Sequence, residues 1–87
     1  MSDAQNYFER ARLLMSQNRY PQAIEQLGQF LIEEPNSPEG HAMMALCLTQ
    51  NKDTWHDATR EAEQAIHCGP DLSLSHYALA IVLEKRK

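Results

Sequence analysis

The sequence predicts an all-α chain: five short helices stacked as antiparallel pairs, in about two and a half repeats. Three observations carry that expectation. Apolar residues recur at helical spacing and never in strand-like alternation, prolines close two segments of matching length, and the residues between those prolines recur at a fixed offset. Pro35 and Pro70 stand 35 residues apart, and the same offset lays His41-Ala42-x-Met44-Ala45-x2-Leu48 over His76-Tyr77-x-Leu79-Ala80-x2-Leu83 without a gap. An earlier unit, Tyr7-x2-Arg10-Ala11-x2-Leu14, has the same internal spacing but sits 34 residues before the second. Matching Tyr20-x2-Ala23 with Trp55-x2-Ala58 places the additional residue in the turn over 51–54.

Each element follows from this periodicity and its punctuation. The first helix runs from about Asp3 to Gln17, with Ala4, Tyr7, Ala11 and Leu14 on one face. Asn18 and Arg19 make the turn. Pro21 suits the first turn of the second helix, where its missing N–H removes no intrahelical bond, and Ala23, Leu27, Phe30 and Leu31 form the stripe behind it. That helix stops near Glu33, because Pro35 disfavours helical geometry at Glu34. Ser37 caps the third helix and Pro38 opens it; Met44, Ala45 and Leu48 lie along it to about Gln50. Thr54 and Asp57 resemble a capping box for the fourth helix, whose inner face is Ala58, Ala62 and Ala65. Gly69 followed by Pro70 reads as a left-handed glycine cap and a stop. Asp71 or Ser73 then opens the fifth helix, which carries Leu79, Ala80 and Leu83.

Composition narrows the function. At 87 residues the chain is one domain over 1–87, near the size at which a single hydrophobic core is barely sufficient. The longest stretch free of charged or strongly polar residues, Ala42 to Leu48, is far too short to span a bilayer, so a membrane role is not expected. Residues 1–10 show no basic segment followed by an apolar run, and a cytoplasmic location is the expectation. A net charge of −4 disfavours nucleic acid and anionic membranes as partners, since both demand a dense basic footprint. The basic cluster Lys85-Arg86-Lys87 reads as a charged chain end.

Catalytic and cofactor signatures are not found in the sequence. Gly28, Gly40 and Gly69 are isolated from one another, unlike a phosphate-cradling loop. His41, His56, His67 and His76 stand near Cys47, Cys68 and Asp57 in no metal-ligand spacing, and no nucleophile, base and orienting group are set together. The two cysteines read as free, buried or half-buried thiols. Neither an enzyme, a cofactor nor a metal is expected. His41 and His76 occupy equivalent places and read as packing residues, Trp55 as a packing aromatic matching Tyr20, and Glu33, Glu34, Glu61 and Glu63 as solvated helix charges.

Helix pairs of this length, with these residues, resemble the tetratricopeptide repeat (TPR) family, whose pattern is W-x2-L-G-x2-Y, then A-x3-F, then P. Ala11, Ala45 and Ala80 stand at the small position, Leu14, Leu48 and Leu83 at the large one after it, Ala23 and Ala58 in the second helices, and Pro35 and Pro70 at the ends. The likeness covers residues 4 to 87, as repeats over about 4–37 and 38–72 and a half repeat over 73–87. Arg10 departs from the pattern where a large apolar residue is usual, Gly28 sits inside the second helix, and Tyr7, His41 and His76 replace the family tryptophan.

The resemblance implies an α-solenoid whose first helices line a concave face that binds a peptide or helix of a partner protein. Carried over residue by residue, that face is Gln5, Phe8, Arg12 and Met15; Ala42, Met43, Leu46 and Thr49; and Tyr77, Ile81 and Glu84. The subclass that grips chaperone tails would place its clamp at Phe8, Arg12, Met43, Leu74 and Ala78, of which only Arg12 is polar, so that role is not expected. The expected function is a protein-interaction module, part of a larger scaffold. The alternatives are an accessory domain of an enzyme and a self-associating structural unit. The fifth helix has no following partner, and weak homodimerisation through His76, Leu79 and Leu83 is the expected consequence.

Overall fold

Proline and small polar residues divide the chain into helices at the places the sequence marks. The computed structural model describes residues 3–85; Met1, Ser2, Arg86 and Lys87, and with them most of the basic chain end, lie outside the described residues. In order come α1 (Asp3–Ser16), α2 (Tyr20–Glu33), α3 (Pro38–Leu48), a 3₁₀ turn over Lys52–Thr54, α4 (Trp55–Cys68) and α5 (Ser73–Lys85). The described residues are all-helical and contain no strand.

The helix ends show how local chemistry sets these limits. Asn18 takes a left-handed conformation (φ 61°), which asparagine tolerates, and Arg19 N–H then donates to the Leu14 carbonyl at 2.8 Å to close α1. Pro21 lies in the first turn of α2, whose end is held by Glu34 N–H donating to Phe30 at 2.8 Å. Ser37 caps α3 as expected, its hydroxyl accepting from Gly40 N–H at 3.1 Å with Pro38 at the first helical position.

Two expected caps form differently. Thr54 makes no capping box: its hydroxyl donates to the carbonyls of Leu48 and Asn51, while the Asn51 side chain accepts from Asp53 N–H at 3.0 Å. Gly69 is not left-handed, with φ −144°. Its lack of a side chain serves a close approach instead, since a Cβ there would lie 2.7 Å from Cβ of Pro38. That contact brings the end of α4 onto the start of α3, so the two helices run antiparallel.

Packing proceeds along the chain. α1 pairs with α2 and α3 with α4; α2 also meets α3, and α5 lies against both α3 and α4. Two cores result: Ala11, Ala23, Leu27, Met43 and Cys47 join the first three helices, while Ala42, Ala45, Ala58, Ala62, Ala65, Ala78 and Val82 join the last three. α3 contributes to both, and its apolar residues accordingly surround it instead of forming one stripe. The alanine seam of α4 lets helices approach closely, as does Gly40, whose missing Cβ would meet the Phe30 ring at 2.7 Å. The molecule measures 40 × 27 × 18 Å.

α5 departs from the expected stripe. Its buried residues are Ser75, Ala78 and Val82, not Leu79, Ala80 and Leu83. Leu79 is half-buried, and Ala80 and Leu83 are exposed. Ser75, Ala78 and Val82 stand 35 residues after Gly40, Met43 and Cys47, which face α2; both triads pack against the preceding helix pair.

Candidate functional site: the faces of the first helices

α1, α3 and α5, with Thr49 at the C-terminal cap of α3, carry the eleven residues expected to hold a ligand, and their surroundings divide them. Gln5, Arg12, Tyr77 and Glu84 are exposed; Phe8, Met15, Leu46 and Ile81 are half-buried. Ala42, Met43 and Thr49 are buried, because α3 packs against α2 on one side and α4 and α5 on the other. Ala42 lies in the core shared with α4 and α5, and Met43 in the core shared with α1 and α2. The Thr49 carbonyl accepts from the Trp55 indole N–H at 3.0 Å, fixing the start of α4. These three are core residues, and a ligand on this face would meet the other eight. Of the positions that a chaperone-tail clamp would use, Met43 and Ala78 are likewise buried.

The start of α1, the end of α2 and the start of α3 enclose an open groove of about 340 Å³. Phe8 and Phe30 form its apolar wall, with ring centroids 5.0 Å apart and planes inclined at 50°. Glu9, Glu34 and Glu39 stand around it, and Gln5 lines one side. Of these carboxylates, Glu9 also contacts Arg12, at 3.5 Å. The groove is thus aromatic within and acidic at its edge. The acidic edge is not legible from the sequence, since Glu9 in the middle of α1, Glu34 just after α2 and Glu39 in the first turn of α3 are brought together only by the packing of the three helices.

A second hollow, of about 640 Å³, opens between the start of α2 and the end of α3 and is lined by Tyr20, Ile24, Cys47 and the turn over 51–54. Cys47 supplies its thiol, and desolvation pushes that group up from 9.0 to about 12. At neutral pH it is a protonated thiol. Cys68 is half-buried, and both cysteines are free.

The strongest polar arrangement lies around His41. Its Nδ1 is 2.7 Å from Oε1 of Glu61 and its Nε2 2.7 Å from the Pro35 carbonyl oxygen. Each ring nitrogen thus lies within hydrogen-bond distance of an oxygen, one from a side chain and one from the main chain. The imidazole thereby ties the turn between α2 and α3 to the middle of α4. Glu61 is a correction to the reading of it as a solvated charge: its side chain is 23% exposed and meets the His41 ring. His76 repeats half of the motif: its Nε2 is 2.6 Å from the Pro70 carbonyl, again six residues back, and its Nδ1 has no partner among the described residues.

Among the described residues no cluster of three or more His, Cys, Asp or Glu side chains is placed to hold a metal ion, and no helix is long and apolar enough to cross a membrane. No protein-family model, curated protein or solved structure matches the chain.

Proposed function

We propose that this chain is a protein-interaction module of TPR type, a short α-solenoid that holds a helix or apolar peptide of a partner along α1, α3 and α5. The observation that carries the reading is the uneven burial of the first helices. Ala11, Ala42, Ala45 and Ala78 on these helices are buried, while Phe8, Met15, Leu46, Tyr77 and Ile81 stay partly or largely open to solvent. Partly open apolar side chains distributed over successive helices suit an amphipathic helix whose anchors fall every three or four residues. The acidic edge beside Phe8 adds a preference: an anchor entering that groove gains from a neighbouring lysine or arginine, which the three carboxylates attract. A protein of this kind acts by passive recognition, and is neither an enzyme nor dependent on a cofactor.

The test is a titration of the isotope-labelled chain with two peptides, an amphipathic helix bearing lysine and an acidic C-terminal tail. The helix is expected to shift Phe8, Leu46, Tyr77 and Ile81. A Leu46→Glu, Tyr77→Ala double variant with unchanged helicity is expected to lose that binding. Micromolar affinity for the acidic tail, or equal binding by the variant, contradicts the proposal.

A further inference from the structure

We infer that the groove between α1, α2 and α3 is an arginine site: the partner side chain received there lays its guanidinium on the wall formed by Phe8 and Phe30 and donates to the glutamates at the edge. The inference rests on the reading of the chain as a peptide-holding module and gives one anchor of that peptide a chemical identity. The charge around the groove is one-sided. Glu9, Glu34 and Glu39 line it, and no lysine, arginine or histidine does. Glu9 meets Arg12 at 3.5 Å, whereas Glu34 and Glu39 have no ion-pair partner among the described residues. The backbone adds to the same sign. α2 ends beside the groove with no basic residue in its last turn, so the partial negative charge of its terminal carbonyls is not offset. α1 and α3 begin there with the opposite partial charge, and each has an acidic residue in its first turn, Asp3 and Glu39.

Charge complementarity calls for a cation, and the placement of the groups selects which one. The three glutamates stand on three segments and are not set to hold a metal ion together. A cation that reaches more than one of them needs donors pointing in several directions. A lysine ammonium is a compact, strongly hydrated charge, which an open groove leaves in water. A guanidinium is planar, more weakly hydrated and carries five N–H donors in its plane, so it stacks on an aromatic ring while donating sideways to carboxylates. Phe8 is half-buried and keeps part of its ring open to the groove, and Phe30, 9% exposed, backs it with centroids 5.0 Å apart.

Other anchors fit less well. A purely apolar side chain would cover Glu34 and Glu39 without offering them a donor, and the lost hydration would go uncompensated. An acidic side chain meets three charges of its own sign. The groove, at about 340 Å³, has room for one long side chain and the backbone beside it.

The probe is N-acetyl-arginine N-methylamide, titrated into the isotope-labelled full chain, with the citrulline and lysine analogues beside it. Citrulline keeps the shape of arginine without its charge. The arginine probe is expected to shift Phe8, Phe30, Glu34 and Glu39 saturably, with millimolar affinity that weakens as salt is raised. The citrulline analogue is expected to bind about tenfold more weakly, and the lysine analogue several-fold more weakly. Glu34→Gln together with Glu39→Gln, both at exposed positions, is expected to weaken arginine binding about tenfold with helicity unchanged. Equal binding of arginine and citrulline, indifference to the double variant, or a groove that the arginine probe does not shift overturns the inference. Groove shifts that grow as the chain alone is concentrated overturn the choice of occupant in favour of a second copy's arginine. The amphipathic helix of the preceding titration keeps the two readings apart. Helix binding along α1, α3 and α5 with no arginine effect at Phe8 sinks this inference alone, whereas an arginine-selective groove on a chain that binds no helix contradicts the peptide-holding reading and leaves the groove a guanidinium site.

Discussion

Replacing His41 by alanine tests the interaction that locks α3 to α4, and His76 supplies an internal control. His41 forms two hydrogen bonds of 2.7 Å with its side chain 11% exposed, and the Glu61 side chain is 23% exposed. A hydrogen bond to a charged group contributes about 1.5–3 kcal/mol and a neutral one about 0.5–1.5 kcal/mol, so the loss is about 2–4 kcal/mol. In a domain of this size that lowers the melting temperature by on the order of 10–20 °C. His76 makes one hydrogen bond at an exposed position, and His76→Ala is expected to cost less than about 1 kcal/mol. Urea unfolding followed by circular dichroism measures both. A double-mutant cycle of His41→Ala with Glu61→Ala isolates the pair, with an expected coupling of about 1–2 kcal/mol. Equal costs at the two histidines, or a coupling near zero, would refute the assignment of the difference to the carboxylate.

The remaining predictions concern glycine and cysteine. Gly28→Ala is expected to stabilise by up to about 1 kcal/mol, since the position is helical and a Cβ there meets nothing within 4 Å. Gly69→Ala is expected to destabilise by about 1–3 kcal/mol, because its Cβ would press on the Pro38 ring at 2.7 and 2.8 Å; thermal melts separate the two signs. Cys47 is expected to resist iodoacetamide at neutral pH until the chain unfolds, whereas Cys68 reacts in the native state; mass spectrometry of timed aliquots reads this. The folded chain holds the Cys47 proton more tightly than the unfolded one. Its contribution is therefore fully present below pH 9 and lost as pH rises towards about 12, and Cys47→Ala is expected to flatten that part of the stability profile.

Helix limits were legible because each is set by chemistry within a few residues. Ser37-Pro38 opens α3 and Pro35 stops α2 whatever surrounds them. The alanine seam of α4 was legible too, as three small residues at helical spacing have few uses other than close packing. What the sequence concealed depends on neighbours distant along the chain. Gly69 matches the expected glycine cap in sequence, yet it is fitted to Pro38, more than thirty positions earlier. Glu61 lies on an amphipathic helix among solvated charges, and only the antiparallel register of α4 on α3 delivers it to His41. The expected ligand face suffered in the same way. Ala42, Met43 and Thr49 follow the helical period as well as Phe8 or Tyr77 do, but α3 sits between two helix pairs and α1 and α5 do not.

That asymmetry among three equivalent helices links packing to function. α3 has two faces in contact, one against α2 and one against α4 and α5. α3 buries both, with His41, Ala45 and Cys47 all closed. α5 buries only one, through Ser75, Ala78 and Val82, and Ser75 completes that contact by donating to the Ala65 carbonyl at 3.1 Å. α5 is thus anchored by one face and leaves the other exposed, with the His76 ring held by the Pro70 carbonyl at 2.6 Å. A surface whose backbone and side chains are in place beforehand loses little conformational entropy on binding.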